Sequence, residues 1–192
     1  MSDRARDRAR LLSLLTKHSY QKRDVVLASG RKSDFFIDCK QTVLLAEGHA
    51  LVGAAMLEAI DALEGAPVAA PIVAVAGVEL GGCPLASAVS LLSFQRGRPL
   101  DAVYVRKEVK DHGSKRAMEG DSHLPSGSRL AIVEDVVTTG GSTLKCAEKI
   151  RAAGHVVAGV IALVDRQEGG REAIEAAGYP IVTIFSRSDF PR

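Results

Sequence analysis

The chain has 192 residues, 46% of them hydrophobic and 25% charged, which suits one domain with a substantial core and leaves no room for an added catalytic barrel of about 250 residues. Lys and Arg number 25 against 23 Asp and Glu, a net charge of +2 that makes no case for a nucleic-acid partner. Cys39, Cys83 and Cys146 form no C-x-x-C pair, Arg4 to Arg10 lack the apolar core of a signal peptide, and no run of about 18 apolar residues occurs. These features predict a cytoplasmic protein with no disulfide framework, no zinc cluster and no membrane span.

Residues 3–17 carry interleaved Arg and Asp before Leu11, Leu12, Leu14 and Leu15, which predicts a helix whose apolar end lies on a neighbouring core. Val25 to Leu27 and Phe35 to Ile37 read as short strands around the turn Ser29-Gly30-Arg31-Lys32-Ser33. Adjacent strand residues face opposite ways, so one of Phe35 and Phe36 can line a ligand cleft, although taken alone both read as core. Residues 47–63 form an apolar helix with Val52, Met56, Ala59 and Leu63 on one side, ended by Gly65 and Pro67.

Residues 71–76 then predict a buried strand, Gly77 to Gly82 a strand-to-helix turn, and residues 85–92 a helix. Such a glycine turn is a candidate anion loop, but by itself it is ordinary chain geometry. Residues 101–105 make the next strand, and the run Arg106, Lys107, Glu108, Lys110, Asp111, His112, Gly113, Lys115, Arg116 has no apolar periodicity. Out of context a charge run is a solvated face. Following a strand in an α/β sheet, it stands where ligands bind.

The stretch from Leu130 to Thr143 organises the rest: a short apolar strand over 130–133, the acidic pair Glu134 and Asp135, a turn over 138–142, and a helix over 142–153 with Ser142 as its cap and Gly154 as its stop. Free backbone N–H groups at a helix start, with Gly140 and Gly141 permitting close approach, suit a phosphate. Two carboxylates beside a bare phosphate would repel it, so they call for hydroxyls, a metal or a developing cation. A ribose 5-phosphate satisfies both halves, and neither G-x-x-x-x-G-K-[ST] nor G-x-G-x-x-G is present. Residues 156–164 form a further strand, 165–170 a polar turn, 172–177 a helix and 181–185 a last strand. The alternation predicts an α/β fold: a doubly wound, mostly parallel sheet flanked by helices, in a single domain over 1–192 with a small N-terminal hood mainly within 1–45.

The stretch around residues 134–142 resembles the signature of the phosphoribosyltransferases, enzymes that use 5-phosphoribosyl 1-pyrophosphate (PRPP). Three further segments are similar to the orotate-using branch of that family: the run from Arg106 to Gly113, the segment Ser29 to Ser33 followed by Phe35-Phe36, and the turn Asp165-Arg166-Gln167-Glu168. The resemblance implies transfer of ribose 5-phosphate to N1 of orotate in pyrimidine synthesis. It also implies that Arg106, Lys107, Lys110 and His112 meet the pyrophosphate from a mobile catalytic loop at about 107–121, shared across a homodimer.

By the same resemblance Glu134 and Asp135 hold the ribose hydroxyls, Val136, Val137, Thr138, Thr139, Gly140, Gly141 and Ser142 surround the 5-phosphate, and Phe35, Phe36, Thr138 and Arg166 meet orotate. Lys107, Lys110, His112, Glu134 and Asp135 then carry the catalysis, with Mg²⁺ held mainly by PRPP and no direct protein metal ligand. Two positions depart from the pattern: Ala28 and Gly81 stand where some members have lysine. A phosphoribosyltransferase for another base shares the 134–142 signature but has no need of Arg166 for a carboxylate. A non-catalytic PRPP-sensing regulator is the rival of another class, and it calls for a nucleic-acid surface that this composition does not offer.

Overall fold

The computed structural model describes residues 3–26, 32–65, 70–108 and 116–191. Its elements in order are α1 (Asp3–His18), β1 (Tyr20–Val26), β2 (Lys32–Ile37), α2 (Lys40–Val43), α3 (Ala46–Glu64), β3 (Ile72–Val78), α4 (Gly82–Gln95), β4 (Asp101–Val105), β5 (Met118–Glu119), β6 (Arg129–Val137), α5 (Gly141–Ala152), β7 (Val156–Asp165), α6 (Gly170–Ala176) and β8 (Ile181–Ser186), with a short 3-10 turn over Arg187–Asp189. β1 and β2 pair antiparallel as the expected hairpin. Its predicted turn residues 29–31 and Ala28 lie outside the described residues.

The main sheet has the order β5-β4-β3-β6-β7-β8. All neighbours among β4, β3, β6, β7 and β8 are parallel, and β5 alone is antiparallel to its neighbour. The doubly wound, mostly parallel expectation therefore holds. Its physical basis is visible along β6, where Ala131 and Val133 face one buried cluster with α3 and α4 while Leu130 and Ile132 face another with α5. Both faces are covered, so the strand reads as a continuous apolar run rather than an alternating one. Leu11 and Leu15 of α1 join the first cluster, as the apolar end of that helix predicts.

The path leaves β3 for β4 on one side and returns to β6 on the other. That reversal opens a crevice beyond the carboxyl ends of β3 and β6, the place where doubly wound sheets take ligands. Both glycine turns lie at it, because residues 79–81 follow β3 and residues 138–140 follow β6.

Several boundaries differ from the sequence reading. β6 runs to Val137, four residues past the predicted end at 133, so the acidic pair lies within the strand. The cause is backbone pairing: Glu134, Val136 and Val137 remain in register with Ala162, Val164 and Asp165 of β7. Ser142 is not the cap of α5. Gly140 holds that position with φ 79°, and the Ser142 hydroxyl turns back to Glu134 instead. The short β5 and α2 have no periodicity long enough to announce them.

Candidate active site

Glu134 is 5% exposed at the end of β6, and its Oε2 accepts hydrogen bonds from Ser142 Oγ at 3.3 Å and Thr143 Oγ1 at 3.2 Å. Its pKa is raised to about 8, chiefly by burial and next by the charge of Asp135 and a hydrogen bond to that carboxylate, with the two hydroxyls opposing the rise. At neutral pH Glu134 therefore keeps its proton. The Asp135 carboxylate accepts the Val136 N–H at 2.9 Å, and its backbone carbonyl faces Cys39 Sγ at 3.7 Å.

The second glycine turn folds against this carboxylate. A Cβ at Gly81 would lie 2.3 Å from Asp135 Oδ2, so the absence of a side chain is what lets the two crevice walls meet. Below the pair, Gly140 adopts a left-handed conformation and packs so that an added Cβ would come within 3.0 Å of the Gly170 carbonyl, whereas Gly141 is open on its outer side. The first intrahelical bond of α5 is Leu144 N–H to Gly140 O at 2.9 Å. The N–H groups of residues 141–143 precede it and carry the positive end of the helix dipole.

Not every backbone group in the signature is open to a ligand. The Val136 N–H is taken by Asp135, and the Val137 carbonyl accepts the Arg166 N–H at 3.0 Å. That bond ties the phosphate turn to the 165–168 turn. Thr138 is half-buried and Thr139 is exposed between them.

The other predicted residues fall on two flanking clefts. One, of about 320 Å³, brings Arg106, Lys107 and Ser142 together with Lys145 and Lys149. Arg106 is held there by Glu119, with Nε and Nη2 at 3.1 and 2.8 Å from one carboxylate oxygen. Lys149 of α5 donates to the carbonyls of Arg106 and Lys107, and the Lys107 N–H reaches Glu79 at 3.3 Å. Lys149, Glu79 and Glu119 escaped the sequence reading because each is one charged residue among many, and only the meeting of β3, β4, β5 and α5 gives them a shared target. Lys110 and His112 lie outside the described residues, as does the whole of 109–115.

The second cleft, of about 370 Å³, is lined by Tyr20, Lys22, Phe35, Gln167, Arg187 and Phe190. Phe35 is 3% exposed and packs between Tyr20 and Phe190, with ring centroids 5.2 and 5.5 Å away. Phe36 is half-buried beneath the Arg23 guanidinium, 3.8 Å from its centroid, and does not line this cleft. Arg166 Nη2 donates to the Phe35 carbonyl at 2.9 Å, joining hairpin and sheet. The site thus offers a helix N-terminus for an anion, an acidic pair for hydroxyls or a forming cation, and a guanidinium beside an aromatic wall for a flat anionic group.

Residues 45–179 match the phosphoribosyl transferase domain family. The chain is 66% identical over 186 residues to the orotate phosphoribosyltransferase of Sorangium cellulosum, covering 97% of this chain and 94% of that one. It is 45% identical over 182 residues to the orotate phosphoribosyltransferase of Thermosynechococcus vestitus, covering 95% and 92%. Among solved structures, Mycobacterium tuberculosis orotate phosphoribosyltransferase in complex with PRPP superposes with a TM-score of 0.74 at 33% identity, covering 95% of this chain and 98% of that one. The acidic pair, the phosphate turn and the arginine turn thus sit in a chain that belongs to the orotate phosphoribosyltransferases, the pentosyltransferases of pyrimidine synthesis that join PRPP and orotate.

Proposed function

We propose that the crevice between β3 and β6 binds PRPP with its 5-phosphate on residues 138–142 and its ribose hydroxyls on Glu134 and Asp135, while Arg166 holds the carboxylate of orotate. The observation that carries this assignment is the meeting, at one sheet edge, of the buried acidic pair with the helix N-terminus and the 165–168 turn. In the reaction the bond from the anomeric carbon to the pyrophosphate oxygen breaks and its electron pair leaves with pyrophosphate. The anomeric carbon then forms a bond to N1 of orotate, which loses its proton.

The transition state has oxocarbenium character on the sugar, and the Glu134–Asp135 pair supplies negative charge to it from a position set before reaction. Arg106 and Lys107 meet the departing pyrophosphate, and Lys110 and His112, which the resemblance gives the same role, lie outside the described residues. The acidic pair and the hydroxyls of PRPP suit Mg²⁺. The ion would be held mainly by PRPP oxygens with no direct protein ligand, and among the described residues no group of three or more His, Cys, Asp or Glu could hold a metal by itself. When bound, it offsets the charge of the pyrophosphate.

Mixing the protein with orotate, PRPP and Mg²⁺ tests the function directly. Loss of orotate absorbance that requires both PRPP and the metal supports the reading, and turnover of adenine, hypoxanthine or uracil in place of orotate would sink it. Gly81→Ala tests the crevice. The new Cβ must displace the Asp135 carboxylate, so kcat/KM for PRPP should fall roughly tenfold, or about 1.4 kcal/mol, while the melting temperature barely moves. An unchanged kcat/KM would separate Asp135 from PRPP.

The protein acts in the cytoplasm as a single-domain homodimer, with the hairpin and α1 as a hood over the orotate side and the 107–121 loop closing on PRPP across the interface. None of the described helices is long and apolar enough to cross a membrane. Support for the dimer comes from the outer face of α2 to α4, where Leu44, Leu91 and Phe94 are 68%, 59% and 72% exposed. Burying each of these side chains contributes about 1.5–3 kcal/mol. Phe94→Asp combined with Leu91→Asp should therefore shift the sedimentation coefficient to that of a monomer, and a dimer that persists would move the interface elsewhere.

A further inference from the structure

The 165–168 turn holds a feature that binding of orotate by Arg166 does not require. Glu168 has a side chain 9% exposed, with one carboxylate oxygen 2.9 Å from Arg166 Nη2. That contact is an ion pair without aligned hydrogen-bond geometry, and the other carboxylate oxygen has no hydrogen-bond partner among the described residues, although both are shielded from solvent. A buried carboxylate so poorly satisfied is costly, and ordinary packing does not demand one.

The turn is built to bring it there. The Asp165 carboxylate accepts the Gln167 N–H at 2.8 Å, and Gln167 takes a left-handed φ of 57° that a non-glycine residue seldom adopts. Ser188 fixes the Gln167 side chain with a 2.9 Å bond to Oε1. Arg166 and Glu168, on either side of that strained residue, consequently face each other.

We infer that Glu168 is a resident stand-in for the substrate carboxylate, a specificity-determining residue that acts through Arg166. In the free protein it neutralises the guanidinium and keeps stray anions off it. Orotate, whose ring gains further contacts, brings its own carboxylate and displaces Glu168. This inference rests on the proposed role of Arg166. It deepens that role by making ligand entry an exchange of one carboxylate for another rather than capture by an open cation. A site whose competent form is only partly populated shows an apparent affinity reduced by that fraction.

The test is Glu168→Gln, which keeps the shape and removes the charge. The KM for orotate should fall roughly three- to tenfold, since the exchange is no longer required. The KM for PRPP should stay within twofold of wild type, and benzoate, a flat carboxylate, should compete with orotate more strongly in the variant than in wild type. A merely structural Glu168 that aligns Arg166 gives the opposite sign: an orotate KM that rises or does not change in a folded variant overturns the inference.

Should Glu168→Gln fail to fold, a crystal structure of the wild-type protein with orotate decides. A substrate carboxylate on Arg166 with Glu168 turned away supports exchange, and both carboxylates remaining on the guanidinium overturns it. Arg166→Ala measured in parallel isolates the underlying reading. An unaltered orotate KM there removes Arg166 from orotate binding and this inference with it, whereas a raised one leaves Glu168 as the only question.

Discussion

Arg166→Ala is expected to raise the KM for orotate roughly a hundredfold, about 3 kcal/mol, and to leave the KM for PRPP nearly unchanged. The guanidinium offers planar donors matched to a carboxylate, and its place beside the Phe35 carbonyl and ring, 2.9 Å and 5.8 Å away, holds it ready before the substrate arrives. The same substitution leaves the buried Glu168 without this counter-charge, and removing one partner of a buried pair is strongly destabilising. Arg166→Ala should therefore melt well below wild type. Adding Glu168→Gln to it should restore much of that stability and none of the orotate affinity. Steady-state kinetics and thermal melting on the three variants separate binding from folding, and an orotate KM within threefold of wild type in Arg166→Ala would contradict the assignment.

Glu134→Gln should act in opposite directions on stability and on activity. In the folded protein Glu134 keeps its proton until about pH 8, chiefly because it is buried and next because Asp135 stands beside it, whereas in the unfolded chain it ionises near pH 4.5. Between those values the folded state binds more protons than the unfolded one, so stability falls as pH rises through this window and the loss is complete above it. Glutamine cannot ionise, and its amide can still accept from Ser142 and Thr143 while donating to Asp135. The variant should match wild type at pH 4.5 and exceed it by on the order of a few kcal/mol at pH 8.5.

Activity should drop about a hundredfold, since a neutral amide supplies less negative charge to the cationic sugar than a carboxylate that ionises as the substrate binds. Denaturant titrations at the two pH values read the first effect and kcat the second. Equal stabilities of both proteins at pH 8.5 would mean that Glu134 is not held protonated. Such a gain in stability with loss of function marks a group retained for chemistry rather than for the fold.

What could be read without coordinates was whatever depends on near neighbours in the chain. The apolar runs of β3, β6 and β7, buried on both faces, carry their identity in composition, and the helices of α1, α3 and α5 carry theirs in periodicity and in stops such as Gly154. Glu134, Asp135 and the turn at 138–142 were legible because an acidic pair next to an anion-binding turn is a chemical contradiction that few ligands resolve. Arg166 was legible only through the resemblance of its turn, since one arginine among many has no local signal.

The tertiary structure alone decided the contacts made at long separation in sequence. The strand continues past residue 133 through Glu134 and Asp135 because β7 stays paired with β6 as far as Val137. Ser142 does not cap the helix because its hydroxyl donates instead to the buried Glu134 carboxyl group. Gly81 closes directly on the Asp135 carboxylate, 54 positions away, and Lys149 serves two carbonyls at the base of the basic run, 42 and 43 positions away. Glu168 looks like any surface glutamate until the left-handed turn at Gln167 folds it under the sheet edge and against Arg166. Periodicity and composition report on the local free energy of each segment, which settled the class of fold and the chemistry of the ligand. Burial and charge pairing depend on which segments meet, and that follows from the packing of the whole chain.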